Sequence, residues 1–397
     1  MSAPIQPASE LPPPLVPREW RLRLDPLLLL ATFGLIACSL ISIKGATRDD
    51  FTGDPLHYVK RQAVYAVVGL ILMYGVSRLD YSRLRELRYP LYGLLLASII
   101  IVLPLARATR GAKSWIELPF FNLQPSELGK VLLVVALAGF VVERMREMGR
   151  HTTARVMLLG LLPTMIVMAE PDLGSATVYV AGTLAILFVA GAPWRHFAAL
   201  VALFAVSLTM VLVVAPKLGV EVLHPYQVDR LTAFMHPSAD TNQSGYQQEQ
   251  ARIAIGSGEK TGRGVEGATQ TSLDFLPEHH TDFIYAVIGE TYGFAGCALV
   301  LSLYALLIWR ALHILTIAKN LFGALIAGGI AMMLLFQLFV NIGMNVGIMP
   351  ITGVTAPLLS FGGSSMLSTF LALGLLHSIN AQARETSSRK GGAAIFQ

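Results

Sequence analysis

Long apolar runs separated by polar segments dominate this sequence. Most are near the length that a helix needs to cross about 30 Å of hydrocarbon. We place ten candidate spans at Pro26–Ile43, Gln62–Val76, Tyr89–Leu105, Leu128–Val142, Val156–Ala169, Ser175–Ala190, His196–Ala215, Asp282–Trp309, Leu321–Ile342 and Val354–Ile379. The fourth and fifth runs are short. The pattern predicts an all-α integral membrane protein, a polytopic bundle of ten transmembrane helices.

Composition excludes an ordinary globular domain. The chain is 54% hydrophobic and 14% charged, whereas about a quarter of the residues in globular domains are charged. The net charge of +5 comes from Lys and Arg beside the apolar runs, so it indicates no nucleic-acid partner. Cys38 and Cys297 both lie inside apolar runs, and no disulfide framework is expected.

Basic residues are concentrated in alternate connections between the runs. The connections after the second, fourth and eighth runs are rich in Arg or Lys. Because loops of this kind stay inside, both termini are predicted to be cytoplasmic. The sequence then divides into a cytoplasmic Pro-rich tail (1–25), a membrane domain (26–380) and a cytoplasmic tail (381–397).

A long connection, residues 216–281, joins the seventh and eighth runs. The same alternation places it on the extracytoplasmic side, and a connection this long without an apolar span is usually functional. The stretch GYQQEQARIAIGSG, residues 245–258, predicts a helix within it, and the glycines that follow predict the end of that helix.

The stretch LPEHHTD, Leu276 to Asp282, places ionisable groups where this polar connection meets the eighth run. A carboxylate at the end of a membrane helix is energetically unfavourable, so it usually pairs with another group or has a function. Asp282 could accept a proton from an incoming hydroxyl group, because partial desolvation would raise its pKa. The alternative is that Thr281 or Asp282 caps the following helix.

The stretch QPSELGK, Gln124 to Lys130, opens the fourth run on the same side. Glu127 and Lys130 are three residues apart and share one helix face. They could form an ion pair that faces a cavity, or a pair on the helix surface with its charges in water. Arg110 and Lys113 lie upstream, near Trp115, and suit either a phosphate-bearing partner or contacts with lipid headgroups beside a Trp of the aromatic belt.

Three further stretches carry polar residues at the same boundary. In EPDLGS, Asp172 could bind a ligand, but capping of the sixth span is the favoured interpretation. In LLSFGGSSM, Ser364 and Ser365 follow two glycines inside the tenth run, where small residues allow close packing or a break beside a cavity. Asn341 and Asn345 are interpreted as hydrogen-bonded packing residues.

Taken together, these stretches resemble the SEDS family (shape, elongation, division and sporulation), and its RodA-like members in particular. The resemblance runs from the first span to the last. It rests on an ordered set of motifs: GAKSWIEL, QPSELGK, EPDLGSA, PYQVDRLTAFMHP, GYQQEQARIAIGSG, GATQTSLDFLPEHHTDFIYAV, NIGMNVGIMPITGV and PLLSFGGSS. The chain departs from the family at Ser114, where Arg is frequent, in GATQ, which is one residue longer than usual, and at Thr291, where Glu is usual.

The resemblance implies a peptidoglycan glycosyltransferase that polymerises lipid II on the outer face of the bacterial cytoplasmic (inner) membrane. It implies that Asp282 is the essential acidic residue, that Glu127 and Lys130 lie in the same cavity, and that a class B penicillin-binding protein is the partner. The remaining residues that we expect to bind substrate are Arg110, Lys113, Asp172, Glu278, His280, Ser364 and Ser365. Membrane lipids are the other partners.

This chemistry needs a base and cations. The 4-hydroxyl group of an acceptor sugar attacks the anomeric carbon of a donor, a carboxylate takes the proton, and cations stabilise the departing diphosphate. Asp282 is the candidate base, and Lys130, Lys113 and Arg110 are candidate phosphate contacts. No cofactor is required, although a divalent cation, Mg²⁺ or Mn²⁺, could share the leaving-group role.

Two other functions use the same residues. A lipid II flippase would need the cavity and its cations but no base, and alternating access between internal repeats would be expected of it. No repeat is evident in the sequence. A non-catalytic scaffold of a cell-wall synthesis complex would tolerate loss of the Asp282 carboxylate.

Overall fold

The computed structural model describes residues 24–48, 54–105, 114–117, 122–144, 150–210, 243–273 and 275–394. Its helices are α1 (Pro26–Ala46), α2 (His57–Ser77), α3 (Arg88–Leu105), α4 (Pro125–Glu143), α5 (Arg150–Ala169), α6 (Leu173–Val189), α7 (Trp194–Thr209), α8 (Gln243–Ser257), α9 (Gly264–Gly267), α10 (Thr269–Ser272), α11 (Ile284–Ile317), α12 (Leu321–Val346) and α13 (Gly363–Ala394). A 3-10 helix covers Tyr81–Arg85, and the short strands β1 (Ile116–Glu117) and β2 (Asn122–Leu123) pair antiparallel.

Each predicted span overlaps one long helix. Within the described ranges, α1, α2, α4, α5, α11 and α12 are long and apolar enough to cross a membrane, and α3 and α6 are shorter apolar helices. The chain is therefore mostly helical, with several membrane-length apolar helices. The count of ten spans stays a prediction, as does the extracytoplasmic position of the 216–281 connection.

The eighth and tenth spans differ from their predicted bounds. α11 continues to Ile317, because Arg310, which seemed to end the span, is buried and pairs with Asp25 at the start of α1. α13 begins only at Gly363, since residues 350–362 are not helical, and it continues to Ala394. Most of the predicted tail at 381–397 is thus helical.

Helix α4 is the centre of the bundle and is buried along almost its whole length. It packs against α3, α5, α6, α12 and α13. Small residues permit these close approaches. A Cβ on Gly329 of α12 would lie 2.8 Å from Val134 of α4, and one on Gly69 of α2 would lie 2.0 Å from the Phe370 ring of α13.

Helix α8 confirms the helix predicted at 245–258. It packs against α11 and α12, and the buried Gln248 amide donates hydrogen bonds to the carbonyl oxygens of Met344 (3.1 Å) and Met349 (2.7 Å). The first part of the long connection, up to residue 242, lies outside the described residues.

The segment after α8 packs closely against α11 at three glycines, which we call the glycine clasp. Gly258 and Gly262 belong to the segment, and Gly293 belongs to α11. α11 is broken at Gly293, where φ is 64°. The carbonyl oxygens of Glu259 and Lys260 accept the N–H groups of the next two residues of α11, at 2.9 and 3.1 Å. The long connection is therefore fastened directly to the helix that follows Asp282.

Candidate active site

A tight turn places Asp282 immediately before α11. The carbonyl oxygen of Glu278 accepts the N–H groups of Thr281, Asp282 and Phe283 at 3.2 to 3.3 Å, and the Glu278 carboxylate accepts the Thr281 hydroxyl at 3.0 Å. The residue at the N-cap of α11 is Phe283, with no side-chain cap bond. Neither Thr281 nor Asp282 occupies the N-cap position itself, so capping by their side chains stays a prediction, and Glu278 stabilises the turn.

Two buried asparagines of α12 hold the backbone of Asp282. Its carbonyl oxygen accepts the side-chain amides of Asn341 at 3.0 Å and Asn345 at 3.1 Å. The Asn345 side-chain oxygen also accepts the N–H of Ala286 in the first turn of α11, at 3.1 Å. The sequence predicted that these asparagines form hydrogen bonds within the packed bundle, but not that they bind the Asp282 backbone. Asn341 and Asn345 are four residues apart and so share one helix face, which was the available signal.

The Asp282 carboxylate lies against the segment 352–354. A Cβ on Gly353 would be 3.6 Å from Asp282 Oδ2, and Asn341 also donates to the Val354 carbonyl oxygen at 2.8 Å. The other side of this segment packs on the start of α6, where a Cβ on Gly174 would lie 2.8 Å from the Thr352 carbonyl oxygen. One short segment therefore separates Asp282 from the EPDLGS turn.

Asp172 caps α6, as the favoured interpretation predicted. Its Oδ1 accepts the N–H of Ser175 at 2.9 Å. Its Oδ2 accepts hydrogen bonds from the Gln124 amide at 2.8 Å and the Ser126 hydroxyl at 3.1 Å. Asp172 therefore joins the N-terminal ends of α4 and α6.

Glu127 and Lys130 form a buried ion pair one turn into α4. Their charged atoms are 2.5 Å apart, and their side chains are only 8% and 3% exposed. The surface alternative is thus wrong. Gly129 lies between them, and a Cβ there would be 2.1 Å from the Tyr179 hydroxyl of α6. Helices α4 and α6 are thus in close contact beside the pair.

The two serines of GGSS lie in the first turn of α13, directly after the non-helical residues 350–362. The Ser364 hydroxyl donates to the Asn122 carbonyl oxygen at 3.0 Å and accepts the Gln124 N–H at 2.9 Å. The hydroxyls of Ser365 and Thr355 are 2.9 Å apart. These contacts join α13 to β2 and to the segment beside Asp282.

Glu170 was not singled out from the sequence, yet it is fully buried beside Asp172. Within the described part of the chain, neither carboxylate oxygen has a hydrogen-bond partner. Burial, with a contribution from the Asp172 charge, raises the pKa of Glu170 to about 8. Its carbonyl oxygen accepts the Ser114 hydroxyl at 2.9 Å.

Arg110 and Lys113 lie outside the described residues, so their phosphate contacts stay predictions.

Four helices present their N-terminal ends to this region. Glu127 and Lys130 are in the first turns of α4, Asp172 caps α6, Asp282 precedes α11, and Ser364 opens α13. Helix N-termini carry partial positive charge, so this convergence favours an anionic ligand. The described residues contain no cluster of three His, Cys, Asp or Glu side chains that could hold a metal ion. The divalent cation stays a prediction.

Comparison with known proteins identifies the family. Residues 22–385 match the family model FTSW_RODA_SPOVE, described as cell cycle protein. A probable peptidoglycan glycosyltransferase FtsW from Thioalkalivibrio sulfidiphilus is 37% identical, over 93% of this chain and 92% of the relative. The peptidoglycan glycosyltransferase MrdB of Escherichia coli K12 is 33% identical, over 92% of this chain and 96% of the relative.

A solved structure supports the same family. A chain from the work titled "Structural coordination of polymerization and crosslinking by a peptidoglycan synthase complex" is 32% identical, with a TM-score of 0.77. The match covers 91% of this chain and 99% of that chain. The protein therefore belongs to the FtsW/RodA/SpoVE family of membrane proteins, which confirms the family resemblance seen in its motifs.

Proposed function

We propose that this protein is a peptidoglycan glycosyltransferase that polymerises lipid II into glycan strands for cell elongation and rod shape. The family and the activity named for its relatives support the glycosyltransferase assignment. The RodA-like role rests on the stretch ATQTSLDFLPE, since relatives of both the FtsW and the MrdB type match at similar identity.

One observation supports the mechanism above all others. The backbone of Asp282 is fixed by hydrogen bonds, close to the N-terminal ends of several helices. Asn341 and Asn345 fix the carbonyl group of Asp282, while its carboxylate lies against Gly353. A general base must be within hydrogen-bond reach of the proton it removes. Fixing its backbone before substrate binds reduces the reorganisation needed for reaction.

The proposed reaction is a single inverting displacement. The 4-hydroxyl oxygen of the acceptor sugar bonds to the anomeric carbon of the donor while Asp282 takes the hydroxyl proton. The bond from that carbon to the diphosphate oxygen breaks, and undecaprenyl diphosphate leaves. An α-linked donor thus gives a β(1→4) product, and no covalent enzyme intermediate is needed.

The converging helix N-termini and Lys130 are proposed to stabilise the leaving diphosphate. The partial positive charge of helix ends acts on anions within about one turn. Glu127 holds the Lys130 ammonium group in position at 2.5 Å. Because the pair is buried, a phosphate that reached it would interact in a low-dielectric environment, where electrostatic stabilisation is strongest.

The membrane arrangement is also part of the proposal. Ten spans in the bacterial inner membrane, with both termini cytoplasmic, would place Asp282 and the 216–281 connection on the outer face, where lipid II is polymerised. The similarity to a chain of a peptidoglycan synthase complex supports a class B penicillin-binding protein as partner.

The test is polymerisation of purified lipid II by this protein with its partner, comparing wild type with Asp282→Asn at matched folding and partner binding. We expect polymer from wild type and at least a hundredfold less from the variant, in line with general-base catalysis. Equal polymer from both would move the base elsewhere. No polymer from either would refute the proposed function, and transport of labelled lipid II would then separate a flippase from a scaffold.

A further inference from the structure

Three aromatic rings from distant parts of the chain meet at the turn that carries Asp282. They are Tyr58 of α2, His280 of the turn before α11, and Phe361 of the segment before α13. The ring centroids of Tyr58 and His280 are 4.6 Å apart, those of Tyr58 and Phe361 are 5.1 Å apart, and those of His280 and Phe361 are 5.6 Å apart. We call these three residues the ring cluster.

Backbone and amide hydrogen bonds fix the ring cluster in place. The Phe361 N–H donates to the His280 carbonyl oxygen at 2.9 Å. One turn after Tyr58, the buried Gln62 amide donates to the carbonyl oxygen of Ser360 and to the hydroxyl of Ser39, both at 3.1 Å. The outer part of α2, the segment 360–362 and the turn that carries Asp282 are thus joined.

The ring cluster differs from the aromatic core of the protein. Tyr179, Tyr304 and Phe370 are fully buried within the bundle. By contrast, all three cluster rings are half-buried and keep exposed surface. They therefore combine apolar faces with the polar edges of a phenol and an imidazole, at the end of the bundle where Asp282 lies.

Such a surface suits a pyranose ring. The faces of a sugar present weakly positive C–H groups, which match the negative face of an aromatic ring, while its rim presents hydroxyl and amide groups for hydrogen bonds. His280 is two residues from Asp282 in the same turn. A sugar against these rings would therefore lie at the turn that carries the candidate base.

We propose that Tyr58, His280 and Phe361 form a binding site for the acceptor hexosamine, the sugar whose hydroxyl loses its proton. This inference rests on the proposed function and adds a substrate subsite to it. The acceptor, rather than the donor, is assigned because a general base has to contact the hydroxyl that attacks.

The variants Phe361→Leu and Tyr58→Leu test it, because leucine keeps apolar bulk but removes the ring. We expect the KM for lipid II to rise about three- to tenfold, as for loss of an aromatic contact, with a smaller change in kcat. Tyr58→Phe keeps the ring and should restore most of the affinity. Tyr74→Leu is the matched control, since Tyr74 is an exposed ring on the same helix that contacts Arg78.

An unchanged KM in both leucine variants, at wild-type thermal stability, would overturn the proposal. If either variant is unstable, Tyr58→Phe against Tyr58→Leu at matched folded fraction decides. If wild type makes no polymer, the proposed function fails separately. Binding of chitotetraose, a soluble β(1→4)-linked N-acetylglucosamine tetramer, is then measured on the purified protein. Loss of that binding in Phe361→Leu would support the site, whereas absent or unchanged binding would overturn it.

Discussion

Asn341 of α12 and Asp282, in the turn before α11, are joined by a hydrogen bond of 3.0 Å from side-chain amide to backbone carbonyl oxygen. The second proton of the same amide goes to the Val354 carbonyl oxygen at 2.8 Å. The Asn341 side chain thus holds both the turn that carries Asp282 and the 352–354 segment, against which the Asp282 carboxylate lies.

Asn341→Ala should therefore impair catalysis more than stability. Loss of the amide leaves the Asp282 carbonyl group held by Asn345 alone and releases the 352–354 segment from Asn341. A displacement of about 1 Å in a reacting group can lower the rate by roughly a hundredfold. We expect kcat for lipid II polymerisation to fall by about that factor, with little change in KM.

The matched control is Asn320→Ala. Asn320 caps the other end of the same helix, where its side chain accepts the Gly323 N–H at 2.9 Å. Its loss should cost about 1 kcal/mol of stability without moving Asp282. The positioning role is wrong if both variants lose activity equally at equal folded fraction.

The buried pair Glu127–Lys130 predicts an asymmetry between stability and activity. Lys130→Met leaves an uncompensated carboxylate in the interior, which should lower the free energy of unfolding by about 3–5 kcal/mol. The double variant Glu127→Gln/Lys130→Met removes both charges and should recover much of that loss. Thermal unfolding and polymerisation assays on the same samples measure both properties.

If Lys130 contacts the diphosphate, the double variant will be stable but inactive. Recovery of polymerisation together with stability would instead make the pair purely structural. Arg252→Met is the matched control, because Arg252 and Glu249 form an exposed pair at the same i,i+3 spacing. Its effect on stability should be within about 1 kcal/mol.

Glu170 predicts that stability falls as the pH rises. Its folded-state pKa of about 8 lies above the ordinary value of 4.5. Between these values the folded protein keeps a proton that the unfolded chain releases, so this group lowers stability by about 1.4 kcal/mol per pH unit across the window. The effect is absent below pH 4.5 and levels off above pH 8.

Glu170→Gln removes this titration. We expect it to melt near the wild-type temperature at pH 5 and increasingly above it from pH 6 to pH 8, as followed by thermal unfolding. Glu249→Gln, at an exposed site, should leave the pH dependence unchanged. Parallel melting curves for wild type and Glu170→Gln across this range would contradict a protonated, buried Glu170.

The glycine clasp predicts a contrast between two neighbouring glycines. Gly262 and Gly264 both have positive φ, 82° and 72°. A Cβ on Gly262 would lie 2.2 Å from the Thr291 carbonyl oxygen, whereas one on Gly264 would meet nothing within 4 Å. Alanine at either position strains the backbone and should lower stability, but only Gly262→Ala should detach the 258–263 segment from α11.

Limited proteolysis and hydrogen exchange across residues 243–273 measure this detachment. We expect faster cleavage and exchange in Gly262→Ala than in Gly264→Ala, together with a larger loss of thermal stability. Equal protection in the two variants would show that the close approach to α11 does not hold the connection.

Local signals in the sequence predicted much of the helical framework. Pro26 and Pro125 begin α1 and α4, and Asp172 caps α6. Where prediction failed, a distant residue was the reason. Arg310 seemed to end a span, but its charge is neutralised by Asp25, 285 residues away. No local pattern contains that partner.

From its sequence the protein could be placed among membrane proteins and in its family, its helices could be located approximately, and candidate residues for the chemistry could be proposed. These depend on apolar length, capping residues and ordered motifs, all of which are read along the chain. The packing of the helices was needed to show that Glu127 and Lys130 face the interior, that two asparagines hold Asp282, and that Glu170 is buried. Each of these depends on which helix faces meet, and that is set by close packing between segments far apart in sequence.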